Sequence, residues 1–215
     1  DSQFTKLWDT CGLSGQYASA SIGAMLCRLS TVLLLLLPLS CRSVNSLNSE
    51  FLAAAASADQ QSMQQLLQEG ASPNATRHGG ETALGRLISQ YKRSHEDRRK
   101  RIEDTATELL ASGADANALH HGFTPLQIAT GQGSEAIVSR LLTYGAEPDL
   151  ETRAGFAPIW QAVLDNNYQI GRILLQAGAN PNALNEKGQT PLQYLRSKGF
   201  QKTRLMLYLR QHGGQ

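Results

Sequence analysis

The apolar positions between Gly122 and Ala146 fall into two short helical stripes with a break between them. Leu126 and Ala129 give the first stretch one apolar face, and Ala129 is small enough for a neighbouring element to come close. Thr124 can cap the start of this helix with its hydroxyl, and Pro125 has its φ pre-set for the first helical position. Gly131 and Gly133 interrupt the helix, and Ser134 can cap a second one. Ile137, Val138, Leu141 and Leu142 then share one face at helical spacing. Gly145 stands where a helix ends in a left-handed residue. Helices this short cannot bury their stripe as a lone pair, so copies must stack.

The skeleton recurs. Gly145-Ala146 returns at Gly178-Ala179 and is preceded by Gly113-Ala114 and Gly70-Ala71. Leu141-Leu142 returns at Leu174-Leu175 and follows Leu109-Leu110 and Leu66-Leu67. Thr124-Pro125-Leu126 becomes Ala157-Pro158-Ile159, then Thr190-Pro191-Leu192, and is preceded by Thr82-Ala83-Leu84. Several independent markers thus keep one register, and a shared period of this length predicts a solenoid.

From about Ser49 to the C-terminus these residues resemble the ankyrin-repeat family. The resemblance implies an all-α ankyrin-repeat solenoid of about five helix-turn-helix repeats joined by β-turn fingers, near residues 50–79, 80–121, 122–154, 155–187 and 188–215. The first repeat is an atypical cap, with helices expected at Glu50 to Ala58 and Ser62 to Glu69. The last reads as the C-terminal cap. In repeat four, Trp160 stands where the family has a histidine, and Asn166-Asn167 replaces the glycine between helices. A changed turn and an aromatic contact between repeats are expected there.

Repeat two carries about ten extra residues, Lys92 to Arg101, six of them Lys or Arg. One reading is a basic finger for an acidic partner or anionic lipid headgroups. The other is two helices each lengthened by a turn, with Glu96–Lys100 and Asp97–Arg101 as supporting i,i+4 pairs. A segment this charged has little apolar surface to bury, so it is expected to project from the stack and add little stability.

Ahead of the repeats, residues 1–24 are polar without a clean period and read as upstream sequence, a fragment edge or a disordered extension. Residues 25–41 read as a signal peptide. Arg28 is basic, Leu29 to Leu39 is apolar, and Ser40-Cys41 follows. The run suits a signal-peptide core and is too short to span a bilayer. Cys41 after it resembles a bacterial lipoprotein signal, in which that cysteine is lipidated, although Pro38 departs from the pattern. An ordinary signal cut after Ser43 and an uncleaved anchor remain alternatives. Residues 42–49 read as a polar linker. Together these features lead us to expect an exported, periplasmic protein of a Gram-negative bacterium, held at a membrane by lipid.

Net charge is +2, which gives no global field toward nucleic acid. Cys11, Cys27 and Cys41 all precede the repeats, so the repeats hold no disulfide framework or thiolate zinc site. Gly131 to Ala136 matches a dinucleotide fingerprint, but a helix precedes it where that motif needs a strand. His120-His121 with His78 lack a cysteine or carboxylate at ligand spacing and read as solvent-exposed finger residues. Asn74-Ala75-Thr76 is a formal glycosylation sequon. No catalytic group, cofactor or metal is expected. The expected partner is an unknown protein, bound by a monomer acting as an adaptor or stabiliser. An immunity-type inhibitor of a toxic enzyme is the alternative, and an enzyme the third.

The resemblance also implies a concave recognition face built from fingers and first helices. The positions matching family contacts on the fingers are His78, Glu81, His120, His121, Phe123, Arg153, Phe156, Glu186, Lys187 and Gln189. On the helix ends they are Gln132, Leu164, Asp165 and Lys198. Phe123 and Phe156 each follow a finger glycine, at the same position in successive repeats. Their rings either shield their own fingers or form a two-ring strip for the partner.

Overall fold

The computed structural model describes residues 43–77, 79–150, 152, 157–200 and 203–215. The signal segment at 25–41 with Cys41, and the candidates His78, Arg153 and Phe156, lie outside these residues. The described elements are α1 (Val44–Ser57), α2 (Gln60–Gln68), β1 (Thr76–Arg77), β2 (Glu81–Thr82), α3 (Ala83–Ser89), α4 (Glu96–Ala111), α5 (Pro125–Gln132), α6 (Glu135–Thr143), α7 (Pro158–Leu164), α8 (Tyr168–Gln176), α9 (Pro191–Ser197) and α10 (Arg204–Gln211). These ten described helices form five successive pairs, an all-α ankyrin solenoid. The finger between the first two repeats is a minimal antiparallel hairpin, with Thr76 opposite Thr82 and Arg77 opposite Glu81.

The stripes predicted from spacing are the core. Leu126, Ala129, Ile137, Val138 and Leu141 are fully buried in repeat three, as are Leu205, Met206 and Leu209 in repeat five. Each such large side chain stabilises the stack by about 1.5–3 kcal/mol through area removed from water. Glycine sets the closeness of approach: a Cβ at position 171 of α8 would overlap Leu205 of α10.

The helix pairs are also tied by a ladder of asparagines. Asn74 Nδ2 donates to the Gly113 carbonyl (3.0 Å), and Asn74 Oδ1 accepts from Asp115 N–H (2.7 Å). Asn117 treats Gly145 and Glu147 in the same way (3.1 and 2.9 Å), and Asn182 treats Gly213 and Gln215 likewise (2.9 and 2.8 Å). Asp149 holds the remaining rung, where Oδ2 accepts from Asn180 N–H at 2.7 Å.

Helix starts follow one rule with local variation. In α5 and α9, Thr124 and Thr190 accept from the N–H of Gln127 and Gln193, and those glutamines accept the threonine N–H in return. In α3 the residue equivalent to Gln127 is Gly85, which has no side chain to reach back. His120, from the next finger, fills the space and accepts Thr82 N–H at Nδ1 (3.1 Å). His120 is therefore only 8% exposed, which corrects its reading as an exposed finger residue. In repeat four, Asn166 takes the left-handed turn conformation (φ 49°) and Asn167 caps α8 through Ile170 N–H.

Four further expectations are overturned. The stretch 42–49 is not simply a linker, because α1 begins at Val44 and extends the first helix to bury Leu47 with Phe51 and Leu52. The insertion lengthens only the second helix: α4 runs for 16 residues, while α3 has seven and is followed by a single 3-10 turn at Tyr91–Arg93. Neither Glu96–Lys100 nor Asp97–Arg101 forms an ion pair; among the described residues the segment's contact of that kind is Arg99 to Glu96 at 3.8 Å. Nor does the segment simply project. Tyr91 donates to Glu103 (2.7 Å), Arg98 donates to Gln90 (2.7 Å) and to the Ala56 carbonyl (3.3 Å), and Lys92 N–H donates to Gln132 (3.0 Å). Polar bonds to repeats one and three hold in place a segment that has little apolar surface.

Two consequences of the Gly85–His120 pair can be measured. A Cβ at residue 85 would overlap the His120 side chain at its root. Gly85→Ala should thus destabilise by about 2 kcal/mol in urea unfolding, as overpacking does. Burial holds the His120 imidazole below its ordinary pKa of 6.5, with help from His121 and opposition from Glu81. The neutral ring is the form the fold prefers, so its contribution is complete above the unfolded-state value and is lost as pH falls through the lowered folded-state value. Against His120→Gln, wild type should be favoured at pH 7.5 and should lose that advantage toward pH 5, read from urea midpoints.

Candidate interaction surface

Among the described residues, three of the grooves lie along successive first helices, at equivalent positions in the repeat. The register runs Arg86, Ser89, Gln90; then Ile128, Gly131, Gln132; then Gln161, Leu164, Asp165; then Tyr194, Ser197, Lys198. The predicted contact residues among the described positions, Asp165 apart, distribute over these grooves.

The first groove is lined by Ala56, Ser57, Glu81, Arg86, Arg98, His120 and His121. Its charges are largely committed to one another. Arg86 pairs with Glu81. Burial raises the Glu81 carboxyl, but Arg86, with Arg77 and His120, overrides that and holds it below the usual carboxylate value. Arg98 points its guanidinium at Gln90 and the Ala56 carbonyl. His121 stays exposed in a left-handed conformation (φ 52°), with Nδ1 at 3.1 Å from the Gly79 carbonyl. The two histidine rings meet edge to face at 4.5 Å. Among the described residues, no three His, Cys, Asp or Glu side chains gather at metal-ligand spacing.

The second groove is lined by Phe123, Gln127, Ile128, Gln132, Pro158 and Gln161. Phe123 is 41% exposed, while its backbone pairs in both directions with His120 at 3.1 and 2.8 Å. The finger holds the backbone and leaves the ring available. Gln132 lines the groove and also accepts Lys92 N–H, so it anchors the insertion.

The third groove gathers Leu164, Glu186, Lys187, Gln189 and Lys198 around Trp160 and Tyr194. Ala157 gives α7 no side-chain cap, and Trp160 stands where Gln127 and Gln193 serve as caps. Its indole instead donates to the Ala183 carbonyl (3.0 Å) and meets Tyr194 edge to face at 5.6 Å. Lys198 Nζ lies 5.7 Å from the Tyr194 ring centroid, a cation–π arrangement. Leu164 is 53% exposed beside them. Asn185 shapes the finger by accepting from Lys187 N–H and Gln189 N–H, each at 2.9 Å. Asp165 is outside the groove linings described above and accepts from Gln161 (3.0 Å).

Sequence reasoning missed Tyr194, Arg86 and Arg98. The register carried a signal for Tyr194, which stands one full repeat after Gln161. No helix among the described residues is long and apolar enough to cross a membrane.

The sequence pattern of ankyrin repeats, in three copies, matches residues 51–152 and 98–185. The chain is 32% identical over 161 residues to the mitochondrial disaggregase of Bos taurus, covering 72% of this chain and 22% of that protein. It is 32% identical over 100 residues to ankyrin repeat and SOCS box protein 16 of Homo sapiens, covering 46% of this chain and 22% of that protein. To neurogenic locus notch homolog protein 1 of Danio rerio it is 30% identical over 154 residues, 55% of this chain and 6% of that protein. The chain thus spans about a fifth or less of the length of these relatives, and the similarity is to a portion of each. The repeat register, the capped helix pairs and the matched pattern agree: this chain belongs to the ankyrin-repeat family, a fold of protein–protein interaction modules.

Proposed function

We propose that this protein is a non-enzymatic binding module that holds a protein partner on the face of its fingers and first helices, with the groove around Trp160 and Tyr194 as anchor. The observation that carries this reading is the convergence of five separately predicted contact residues on that groove. It combines an aromatic floor, an exposed leucine and a rim of two lysines with one glutamate. Interfaces concentrate their energy in such desolvatable aromatic and apolar centres with a polar rim. Phe123 extends the same surface one repeat toward the N-terminus.

The setting we propose is a bacterial cell envelope, with the module exported and held at a membrane through an acylated Cys41. That proposal rests on the apolar run Leu29 to Leu39 followed by Ser40-Cys41. Acyl chains would keep a water-soluble stack at the bilayer surface, where it acts as an adaptor or stabiliser of an envelope protein.

A site-specific photo-crosslinker at Leu164 should capture the partner in cells. With that partner purified, Leu164→Ala and Tyr194→Ala should each weaken binding by about 2 kcal/mol. Lys198→Glu should weaken it too and reduce its sensitivity to salt. Thermal unfolding of the Leu164 and Lys198 variants, both at exposed positions, should stay close to wild type. Affinity unchanged by all three substitutions overturns the assigned groove. A partner whose own activity is abolished on binding identifies an inhibitor in place of an adaptor.

A further inference from the structure

Three rungs of the inter-repeat ladder are asparagine, and the fourth is Asp149. Each asparagine stands four residues after a helix-ending glycine: Asn74 after Gly70, Asn117 after Gly113, Asn182 after Gly178. Asp149 stands four residues after Gly145, in the same register. Each asparagine uses both side-chain atoms. Oδ1 accepts the N–H two residues beyond the next repeat's glycine, and Nδ2 donates to that glycine's carbonyl. Asp149 keeps the first bond, from Asn180 N–H, two residues beyond Gly178. For the second it has an oxygen where its counterparts have an amide nitrogen. That oxygen, Oδ1, is buried and has no hydrogen-bond partner among the described residues. In the other three rungs the atom at this place meets the glycine carbonyl, and the equivalent carbonyl here is that of Gly178, itself an acceptor.

We propose that Asp149 is a proton-operated catch between repeats three and four: as a neutral acid it donates from Oδ1 to the Gly178 carbonyl and completes the ladder, and as a carboxylate it leaves two acceptors facing each other. A buried acceptor without a donor is costly, and proton uptake removes the conflict without moving the backbone. The electrostatic surroundings agree in direction. Burial raises the Asp149 carboxyl above its ordinary value, and only the Asn180 N–H opposes it. The facing turn, Gly178 to Pro181, carries no charge. Arg140 and Tyr144 stand at the end of α6 and Arg172 midway along α8, and none of them shifts Asp149. Glu147, two residues before it, is exposed, and Glu151 and Arg153 lie outside the described residues.

The sign follows from linkage. A carboxyl whose folded-state pKa is raised binds its proton more tightly in the fold than in the unfolded chain. Its contribution is therefore complete below the unfolded-state value of 3.8 and is lost as pH rises through the raised folded-state value. This is opposite in direction to His120. Mild acid tightens this joint, and neutral pH loosens it.

Urea unfolding of the full chain with Asp149→Asn tests this between pH 4 and 7.5. The asparagine should raise the midpoint at pH 7.5, and the gap to wild type should close toward pH 4. The His120 titration is common to both proteins and cancels from the difference. The reciprocal Asn182→Asp should open a gap of the opposite sign that also closes in acid. Carbon-detected NMR of the Asp149 carboxyl in the folded wild type reads the same event without a variant, and should give a titration midpoint above 3.8. A gap independent of pH, a lower midpoint for Asp149→Asn at pH 7.5, or a carboxyl titrating at its ordinary value overturns the proposal.

Discussion

Each second helix in the stack ends on a left-handed glycine, and the stack depends on what satisfies the carbonyl that glycine turns outward. Gly113, Gly145, Gly178 and Gly213 all take φ between 85° and 92°. A carbonyl so placed has left its own helix and needs a donor from outside it. At Gly113, Gly145 and Gly213 the donor is an asparagine of the preceding repeat, at a position fixed four residues after that repeat's own glycine, and at Gly178 the same position is Asp149. One short sequence unit thus ends a helix and caps the next repeat's helix. Apolar stripes supply most of the energy of stacking, but they are tolerant of small slides. The ladder fixes the register in which they meet, and it couples each repeat only to its neighbour.

The starts of the first helices show how one rule yields different surfaces. Where glutamine follows the capping threonine by three residues, the helix start is self-contained. Where Gly85 stands instead, a histidine from the following finger completes the cap and becomes core. Where Trp160 stands, the side-chain cap is absent and the indole becomes groove floor, bonded to the next finger. The same position therefore serves in one repeat to hold the stack and in another to shape what the stack presents.

Much of this was legible in the sequence because it is periodic. Glycine ends, Thr-Pro starts and leucine pairs each carry a local physical reason, and agreement among them over five units fixed the fold class. What escaped reading depends on residues distant in the chain. Whether His120 is exposed is decided by the missing side chain at Gly85, a whole repeat earlier. The insertion reads as a charged segment that projects, yet the Ala56 carbonyl of repeat one and the Gln132 side chain of repeat three hold it, which composition does not reveal. α1 reaches back to Val44 because Leu47 adds to the buried face of the first repeat, a choice only tertiary packing makes. For the surface, the family resemblance named candidate positions, but their grouping into grooves, and the place of Tyr194 in one of them, came from geometry.

Those grooves differ in what they can offer a partner. In the first, Arg86 is already paired with Glu81, and Arg98 is spent on Gln90 and a carbonyl. Engaging them would exchange one polar contact for another, and exposed ion pairs bring about 0–1 kcal/mol. In the third, Leu164 and the outer face of Tyr194 remain in contact with water. Covering a side chain of that size releases about 1.5–3 kcal/mol. Lys198 is poised over the aromatic ring at the rim, where its charge can select an acidic neighbour without being buried. On the proposed face, binding energy would therefore concentrate toward repeats four and five. In the proposed binding mode the polar first groove, with Arg98 of the insertion at its edge, would set orientation more than affinity.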